Sequence, residues 1–149
     1  MIYDERRYVF ETGDAHRPVV MLKIIGPHGT VRWDALVDTG SDISLLPSVI
    51  AEDLGIDLTV ADESTIRGVG NEPPDVRDSG VELEVTDGRE LYRWDAKVSF
   101  LMTSEAESHF ALLGHQGCLD FFVATFDADA RAMEITPARV FPGTVVDVR

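Results

Sequence analysis

The amino-acid sequence predicts a mainly β fold with one or two short helices, spanning residues 1–149 as a single domain. Its apolar segments are short, rich in β-branched and aromatic residues, and bounded by Gly, Pro, Asn or Asp, which is typical of strands and turns. Helix signals are few, and no linker, internal repeat or low-complexity tract interrupts the pattern. Hydrophobic residues make up 44% of the chain, which is enough for a real core and argues against disorder.

In the first third of the chain, three apolar segments are predicted as strands. These are residues 8–10, 19–25 and 31–37, and the Gly-Pro-His-Gly sequence at 26–29 is predicted as the turn between the last two. Residues 47–55 have Pro at the first position and Gly at the last, which indicates one short helix.

The rest of the chain contains two predicted hairpins. Their strands and turns are residues 81–85 and 91–100 around the pair Asp87-Gly88, and residues 122–126 and 133–135 around the turn at 127–130. A second short helix is predicted after Gly114. Residues 137–149 contain two further turn-forming residues, Pro142 and Gly143, and their pattern assigns them to no element.

Composition limits the partners and the compartment. The chain has 13 basic and 27 acidic residues and a net charge of −14, so nucleic acid is not an expected partner, because a polyanion is repelled. A single cysteine, Cys118, excludes an internal disulfide and suits a reducing compartment. No apolar run has the length of a signal peptide or a membrane span. We therefore expect a cytoplasmic protein without a membrane partner.

The strongest functional signal is the sequence Asp38-Thr39-Gly40, which lies between two apolar segments. An ionised carboxylate is costly to bury without hydrogen-bond donors. Gly40 allows a tight turn that directs backbone N–H groups at the Asp38 side chain, and Thr39 and Ser41 add hydroxyl donors. The pattern predicts a carboxylate held at a buried turn. An ordinary turn, in which Asp38 bonds local N–H groups, is the alternative.

This motif resembles the active-site loop of aspartic proteases, and its single occurrence resembles the half-size, retropepsin-like type. The resemblance implies a closed acid-protease β-barrel and a homodimer in which the two Asp38 carboxylates face each other, share one proton and activate water. It also implies that Thr39 fixes the two loops across the axis, and that Gly40 and Asp42 contact the substrate backbone. The expected protein is a homodimeric aspartic endopeptidase that acts on proteins or peptides without a cofactor or metal.

In the same loop Ser41 occupies a position where the viral enzymes commonly carry Ala. We expect its hydroxyl to donate a hydrogen bond to the outer carboxylate oxygen of Asp38 and so to lower the pKa of the pair.

A second segment, Gly68-Val69-Gly70, resembles the glycine-rich tip of the flap that closes over substrate in this family. Glycines suit a tip that must bend and let its backbone approach a peptide closely. An ordinary hairpin turn is the alternative. A dinucleotide-binding loop is disfavoured, because Pro73 stands where a third glycine is needed and no helix pattern follows.

A third segment, residues 110–114, ends in Leu113-Gly114 and resembles the family's second apolar strand, which supports the aspartate loop. Viral members follow this glycine with Arg and then Asp or Asn, whereas this chain has His115 and Gln116. In those enzymes the Arg pairs with the acid that corresponds to Asp42. We expect either His115 or an N-terminal arginine to take its place.

Other chemistries have weaker support. Residues 11–14, Glu-Thr-Gly-Asp, imitate a second motif, but the residues that follow are not an apolar strand, so a loop is predicted. Cys118 has no nucleophile motif around it and is expected to be a small buried hydrophobe. The histidines show no metal-ligand spacing and are expected at surface or turn positions: His16, His28, His109 and His115.

Two other functions remain open. A non-catalytic retropepsin-like module that binds peptides or dimerises would share the fold without hydrolysis. A small β-barrel that binds a small ligand is a further alternative, but it would leave the surroundings of Asp38 unexplained.

Overall fold

The computed structural model describes residues 1–65, 74–102 and 111–148, and most of these residues are in strands. The strands are β1 (Ile2–Asp4), β2 (Arg6–Phe10), β3 (Gly13–Arg17), β4 (Val19–Gly26), β5 (Gly29–Val37), β6 (Leu45–Pro47), β7 (Asp62–Thr65), β8 (Asp75–Thr86), β9 (Glu90–Leu101), β10 (Ala111–Leu113), β11 (Phe122–Asp127), β12 (Ala132–Pro137) and β13 (Thr144–Asp147). Within the same ranges there is one α-helix, α1 (Ser48–Leu54), and there are 3-10 turns at Leu58–Val60 and Leu119–Phe121.

Six strands close into a barrel in the order β9-β6-β10-β5-β4-β8, and the antiparallel pairing of β8 with β9 completes the circle. That hairpin pairs over its whole length, from Val76 with Leu101 to Thr86 with Leu91. Strand β13 adds to the free edge of β9, and β7 adds to β8. The predicted mainly β class and closed barrel are confirmed.

Strand β4 shows how the sequence fills the barrel. Val20, Leu22 and Ile24 are buried, whereas Met21 is exposed and Lys23 is half-buried. This alternation is the period of two expected of a strand with one face on the core. The buried aromatic side chains of β9 belong to the same core cluster, so burial of these apolar faces holds the strands together.

The predicted short helix is confirmed as α1. Pro47 is its N-cap, and Gly55 is its C-cap with φ +67°, a left-handed conformation that glycine adopts without steric cost. The helix buries Ile50, Ala51 and Leu54. The helix predicted after Gly114 is only the 3-10 turn at Leu119–Phe121. No helix in the described ranges is long and apolar enough to cross a membrane.

Three strands outside the barrel, β1, β3 and β13, lie where the sequence predicts no strand. Only Glu11 and Thr12 form the turn expected at residues 11–14, because Gly13–Arg17 is strand β3, paired antiparallel with β2. The loop prediction is therefore wrong from Gly13 onward, since an exposed two-stranded ribbon needs backbone partners but no apolar face. In the tail, which the sequence pattern assigns to no element, Thr144–Asp147 forms β13. A separate three-stranded sheet, β1-β12-β11, packs beside the barrel.

A buried carboxylate ties three strands of the barrel together. Glu84 of β8 is 6% exposed and accepts hydrogen bonds from Lys23 Nζ of β4 at 3.1 Å and from Arg93 Nε of β9 at 2.9 Å. Burial alone would raise the Glu84 pKa, but the two cationic donors outweigh it and hold the pKa below its ordinary value.

Candidate active site

Asp38 is the first residue after β5, and its backbone is anchored by the neighbouring strand. Strand β10 lies parallel to β5, with Leu113 beside Val37, and the Asp38 N–H donates to the Leu113 carbonyl at 3.0 Å. On the other side, the Val37 N–H donates to the Pro18 carbonyl at 2.9 Å. The carboxylate therefore stands at the end of a fixed strand rather than on a free loop.

The turn after Asp38 bends back onto its side chain. The Gly40 N–H donates to Asp38 Oδ1 at 2.9 Å, and the Ser41 N–H donates to the Asp38 carbonyl at 3.2 Å. A Cβ at Gly40 would lie 3.3 Å from the same Oδ1, so a side chain there would press on this carboxylate oxygen. Asp38 is half-buried and Thr39 and Gly40 are exposed. Both an ordinary turn and a catalytic loop contain this hydrogen bond, so the bond alone does not distinguish them.

The Ser41 hydroxyl does not contact Asp38. It donates to the Ile43 carbonyl at 2.7 Å, so the expected bond to the carboxylate is wrong. The physical reason is that the turn brings a backbone acceptor of the same loop within reach of the hydroxyl. Ser41 serves instead to close the turn that carries Asp38.

Gly114 lies so close to this loop that a residue with a side chain would clash with it. A Cβ at Gly114 would lie 2.1 Å from the Ile43 carbonyl oxygen and 2.6 Å from the Ser41 carbonyl oxygen. The Gly114 N–H donates to the hydroxyl of Ser44 at 3.2 Å. Ser44 is 1% exposed, and sequence analysis missed it; the only signal was a hydroxyl in an otherwise apolar run. Leu113 and Gly114 thus contact the loop where the sequence places them.

His115 contacts the loop, but not at the expected residue. Its backbone N–H donates to the Ser41 carbonyl at 2.9 Å, its Nε2 lies 3.2 Å from the Thr39 carbonyl oxygen, and its Nδ1 lies 3.3 Å from Asp120 Oδ1. Asp42 is exposed and has no side-chain partner within the described residues, although its carbonyl accepts the Gln116 N–H at 3.0 Å.

The N-terminal arginines do not replace the viral Arg either. Arg6 pairs with Asp34, and Arg7 pairs with Asp14. Neither side chain is therefore the partner of the Asp42 carboxylate within this chain.

The fold has a solved counterpart. A retropepsin-like aspartic protease from Rickettsia conorii superposes with a TM-score of 0.59 at 19% sequence identity, over 91% of this chain and 97% of that one. The protein has a retropepsin-like fold. EIAV protease complexed with the inhibitor HBY-793 also matches, at 19% identity over 66% of this chain and 82% of that one, with a TM-score of 0.38. No protein-family model matches the sequence, and no curated protein matches it.

In this retropepsin-like fold, the predicted flap residues Gly68, Val69 and Gly70 lie outside the described residues. The strands on either side are described: β7 pairs antiparallel with β8, and Thr65 lies opposite Asp75. The assignment of the flap tip itself stays a prediction.

Other reactive groups are not assembled into a second site within the described part of the chain. No three His, Cys, Asp or Glu side chains there are grouped so that they could hold a metal ion. Cys118 is buried, and burial raises the pKa of its thiol to about 12, so it is a poor nucleophile at neutral pH.

Proposed function

We propose that the protein is a homodimeric aspartic endopeptidase in which Asp38 of each subunit forms the catalytic pair. The observation that carries the proposal is the setting of Asp38. Its carboxylate is half-buried at the end of β5, and its Oδ1 is held by the Gly40 N–H at 2.9 Å. This setting occurs in a fold shared with a retropepsin-like aspartic protease.

The chemistry explains why a second subunit is needed. Hydrolysis of a peptide bond without metal or covalent intermediate needs a base to activate water and an acid to protonate the substrate. A lone ionised carboxylate supplies only the base. A two-fold dimer would bring two copies of Asp38 together, and because like charges at short distance cannot both ionise easily, the pair holds one proton. The titration then belongs to the pair rather than to either residue.

The proposed reaction starts with a water molecule between the two carboxylates. The ionised Asp38 takes a proton from water as the water oxygen attacks the peptide carbonyl carbon, and the protonated Asp38 donates its proton to the carbonyl oxygen. The carboxyl that took the proton from water then donates it to the amide nitrogen, and the other Asp38 carboxylate takes a proton from a hydroxyl of the tetrahedral intermediate. The C–N bond breaks, the carboxylic acid and the amine leave, and the pair again holds one proton. Because Gly40 engages Oδ1, the carboxylate keeps a fixed orientation through these steps.

Substrate binding would use the exposed part of the loop. Asp42 has a carboxylate without a side-chain partner in the described chain, so it is able to accept an N–H group from the backbone of an extended peptide. The residues predicted as the flap, Gly68 to Gly70, would add backbone hydrogen bonds from the other side, as in strand addition.

The deciding experiment is to compare the wild type with Asp38→Asn on a mixture of fluorogenic peptides. We expect cleavage by the wild type only, with the same circular dichroism spectrum and the same sedimentation coefficient for both proteins. Sedimentation should give about twice the 16.4 kDa chain mass at micromolar concentration. Equal peptide binding by both proteins without cleavage would instead identify the non-catalytic module.

Subunit mixing tests the shared site. When equal amounts of wild type and Asp38→Asn exchange subunits, about half of the wild-type activity should be lost, because mixed dimers contain only one carboxylate. A strictly monomeric species that cleaves peptides would contradict the dimeric mechanism.

A further inference from the structure

The His115 side chain contacts the main chain of the Asp38 loop but not the Asp38 carboxylate. It follows Gly114, whose close packing against the Ile43 and Ser41 carbonyls sets the distance between the two segments. Its imidazole spans two oxygen atoms, with Nε2 3.2 Å from the Thr39 carbonyl oxygen and Nδ1 3.3 Å from Asp120 Oδ1.

Both of these oxygens can only accept hydrogen bonds at neutral pH. A neutral imidazole has one N–H donor and one acceptor nitrogen. In either tautomer, therefore, one ring nitrogen directs its lone pair at an oxygen that also has only lone pairs to offer. The imidazolium has two donors and satisfies both contacts. The doubly protonated ring is therefore the only state that donates to both oxygens at once.

The elements around the His115 ring carry several titratable or charged groups. The titratable groups on the surrounding elements are Asp38 and Asp42 in the loop, and Asp120 and the buried Cys118 thiol in the segment of His115 itself. The packed strand β9 contributes Lys97, whose Nζ is paired with Asp78 of β8 at 3.3 Å. Carboxylates are therefore more numerous than unpaired cations among these groups around His115.

The Thr39 carbonyl and the Gly40 N–H belong to the same peptide group. One end of this group accepts from His115 Nε2, and the other end donates to Asp38 Oδ1 at 2.9 Å. Donation to the carbonyl polarises the peptide and strengthens its N–H as a donor, as in any chain of hydrogen bonds. We propose that protonated His115 is a positioning residue that holds the Thr39–Gly40 peptide against Asp38 and so couples its own protonation to the carboxylate.

This inference rests on the proposed function only for its effect on catalysis, so it has a test that needs no activity. Histidine is the side chain that ordinarily changes charge between about pH 5 and 8. In the wild type, the NMR signal of the Gly40 amide should shift over this range with the same midpoint as the His115 ring. The shift should vanish in His115→Gln and persist in His16→Gln, a matched histidine substitution on β3.

Kinetics give the second readout. At about pH 5.5 we expect His115→Gln to lower kcat/KM about three- to tenfold, a modest effect because both side chains of the His115–Asp120 pair are partly exposed. The ratio of wild type to variant should fall toward one as rising pH removes the proton from the imidazole. His115→Arg keeps a planar cation with several donors, so it should restore activity and extend it to higher pH.

The inference would be overturned if the chemical shift of the Gly40 amide did not change while His115 titrates. A constant ratio of wild-type to His115→Gln kcat/KM across the pH range would do the same, since it indicates a structural role only. If Gly40 follows His115 but no variant cleaves peptides, the coupling stands and the proposed protease function fails.

Discussion

Replacement of Gly114 by Ala tests the packing that supports the loop carrying Asp38. The new Cβ would lie 2.1 Å from the Ile43 carbonyl oxygen and 2.6 Å from the Ser41 carbonyl oxygen, both backbone atoms. Real Cβ contacts stay beyond 3.0 Å, so the Ile43 carbonyl must move by about 0.9 Å, the difference between 3.0 and 2.1 Å. The loop that carries Asp38 cannot relieve this clash by a side-chain rotation, because the obstructing atoms are main chain.

Overpacking of this kind costs about 1–3 kcal/mol of unfolding free energy. For a chain of about 150 residues, each kcal/mol lowers Tm by about 2–4 °C. The activity should suffer more than the stability, because a misplacement of about 1 Å in a catalytic group costs about 100-fold in rate. We therefore expect Gly114→Ala to fold, to melt several degrees lower, and to lose about two orders of magnitude in kcat/KM.

Gly80→Ala is the matched control, because a Cβ at Gly80 of β8 would meet nothing within 4 Å and its φ is not positive. Such a change should be neutral or stabilise by up to about 1 kcal/mol. Chemical denaturation, thermal melting and kcat/KM on one peptide would be measured for the three proteins. If Gly114→Ala matched Gly80→Ala in both stability and activity, the inferred tight support of the loop would be refuted.

Three further substitutions are predicted from the same structure. Glu84→Gln should lower the unfolding free energy by about 1–2 kcal/mol at pH 7 in urea titrations, because it removes the charge that its two cationic partners bind. Since the folded-state Glu84 pKa is depressed, this deficit should be full above the ordinary value of 4.5 and shrink as the pH falls below it. Ser41→Ala should leave the acid limb of the pH–rate profile in place, because the hydroxyl donates to a backbone carbonyl rather than to Asp38; a displaced limb would contradict that geometry. The double substitution Gly68→Ala with Gly70→Ala should reduce kcat/KM far more than Tm, whereas the reverse pattern would favour an ordinary hairpin.

The barrel strands could be predicted because each has an apolar face with a period of two. The β8–β9 hairpin was recognised from its alternating residues and from Asp87-Gly88. Its true length was underestimated: β8 begins at Asp75, six residues before the predicted start at 81. The residues 75–80 are mostly polar and form a strand because β9 supplies their hydrogen-bond partners.

Strands β3 and β13 were missed for the same physical reason. Arg17 and His16 in β3, and Thr144 and Asp147 in β13, do not mark an apolar face, and each strand depends on a neighbour for its backbone bonds. The hydrophobic pattern of a sequence reveals which residues are buried. An edge strand needs only a neighbouring strand with free backbone N–H and C=O groups, and the hydrophobic pattern does not show this. Polar edge strands therefore escape prediction from sequence while buried ones do not.

The loop that carries Asp38 shows the same division between local and distant contacts. The bond from the Gly40 N–H to Asp38 joins residues two apart, so the motif alone predicts it. The contact of His115 with Thr39 joins residues 76 apart, and the residue types do not reveal which oxygen the ring will reach. Gly114 decides the outcome: its close approach to the loop places the next residue beside the Thr39 carbonyl instead of the Asp42 carboxylate. A histidine at this position thus bonds the main chain of the loop, where its protonation acts on Asp38 through a peptide group.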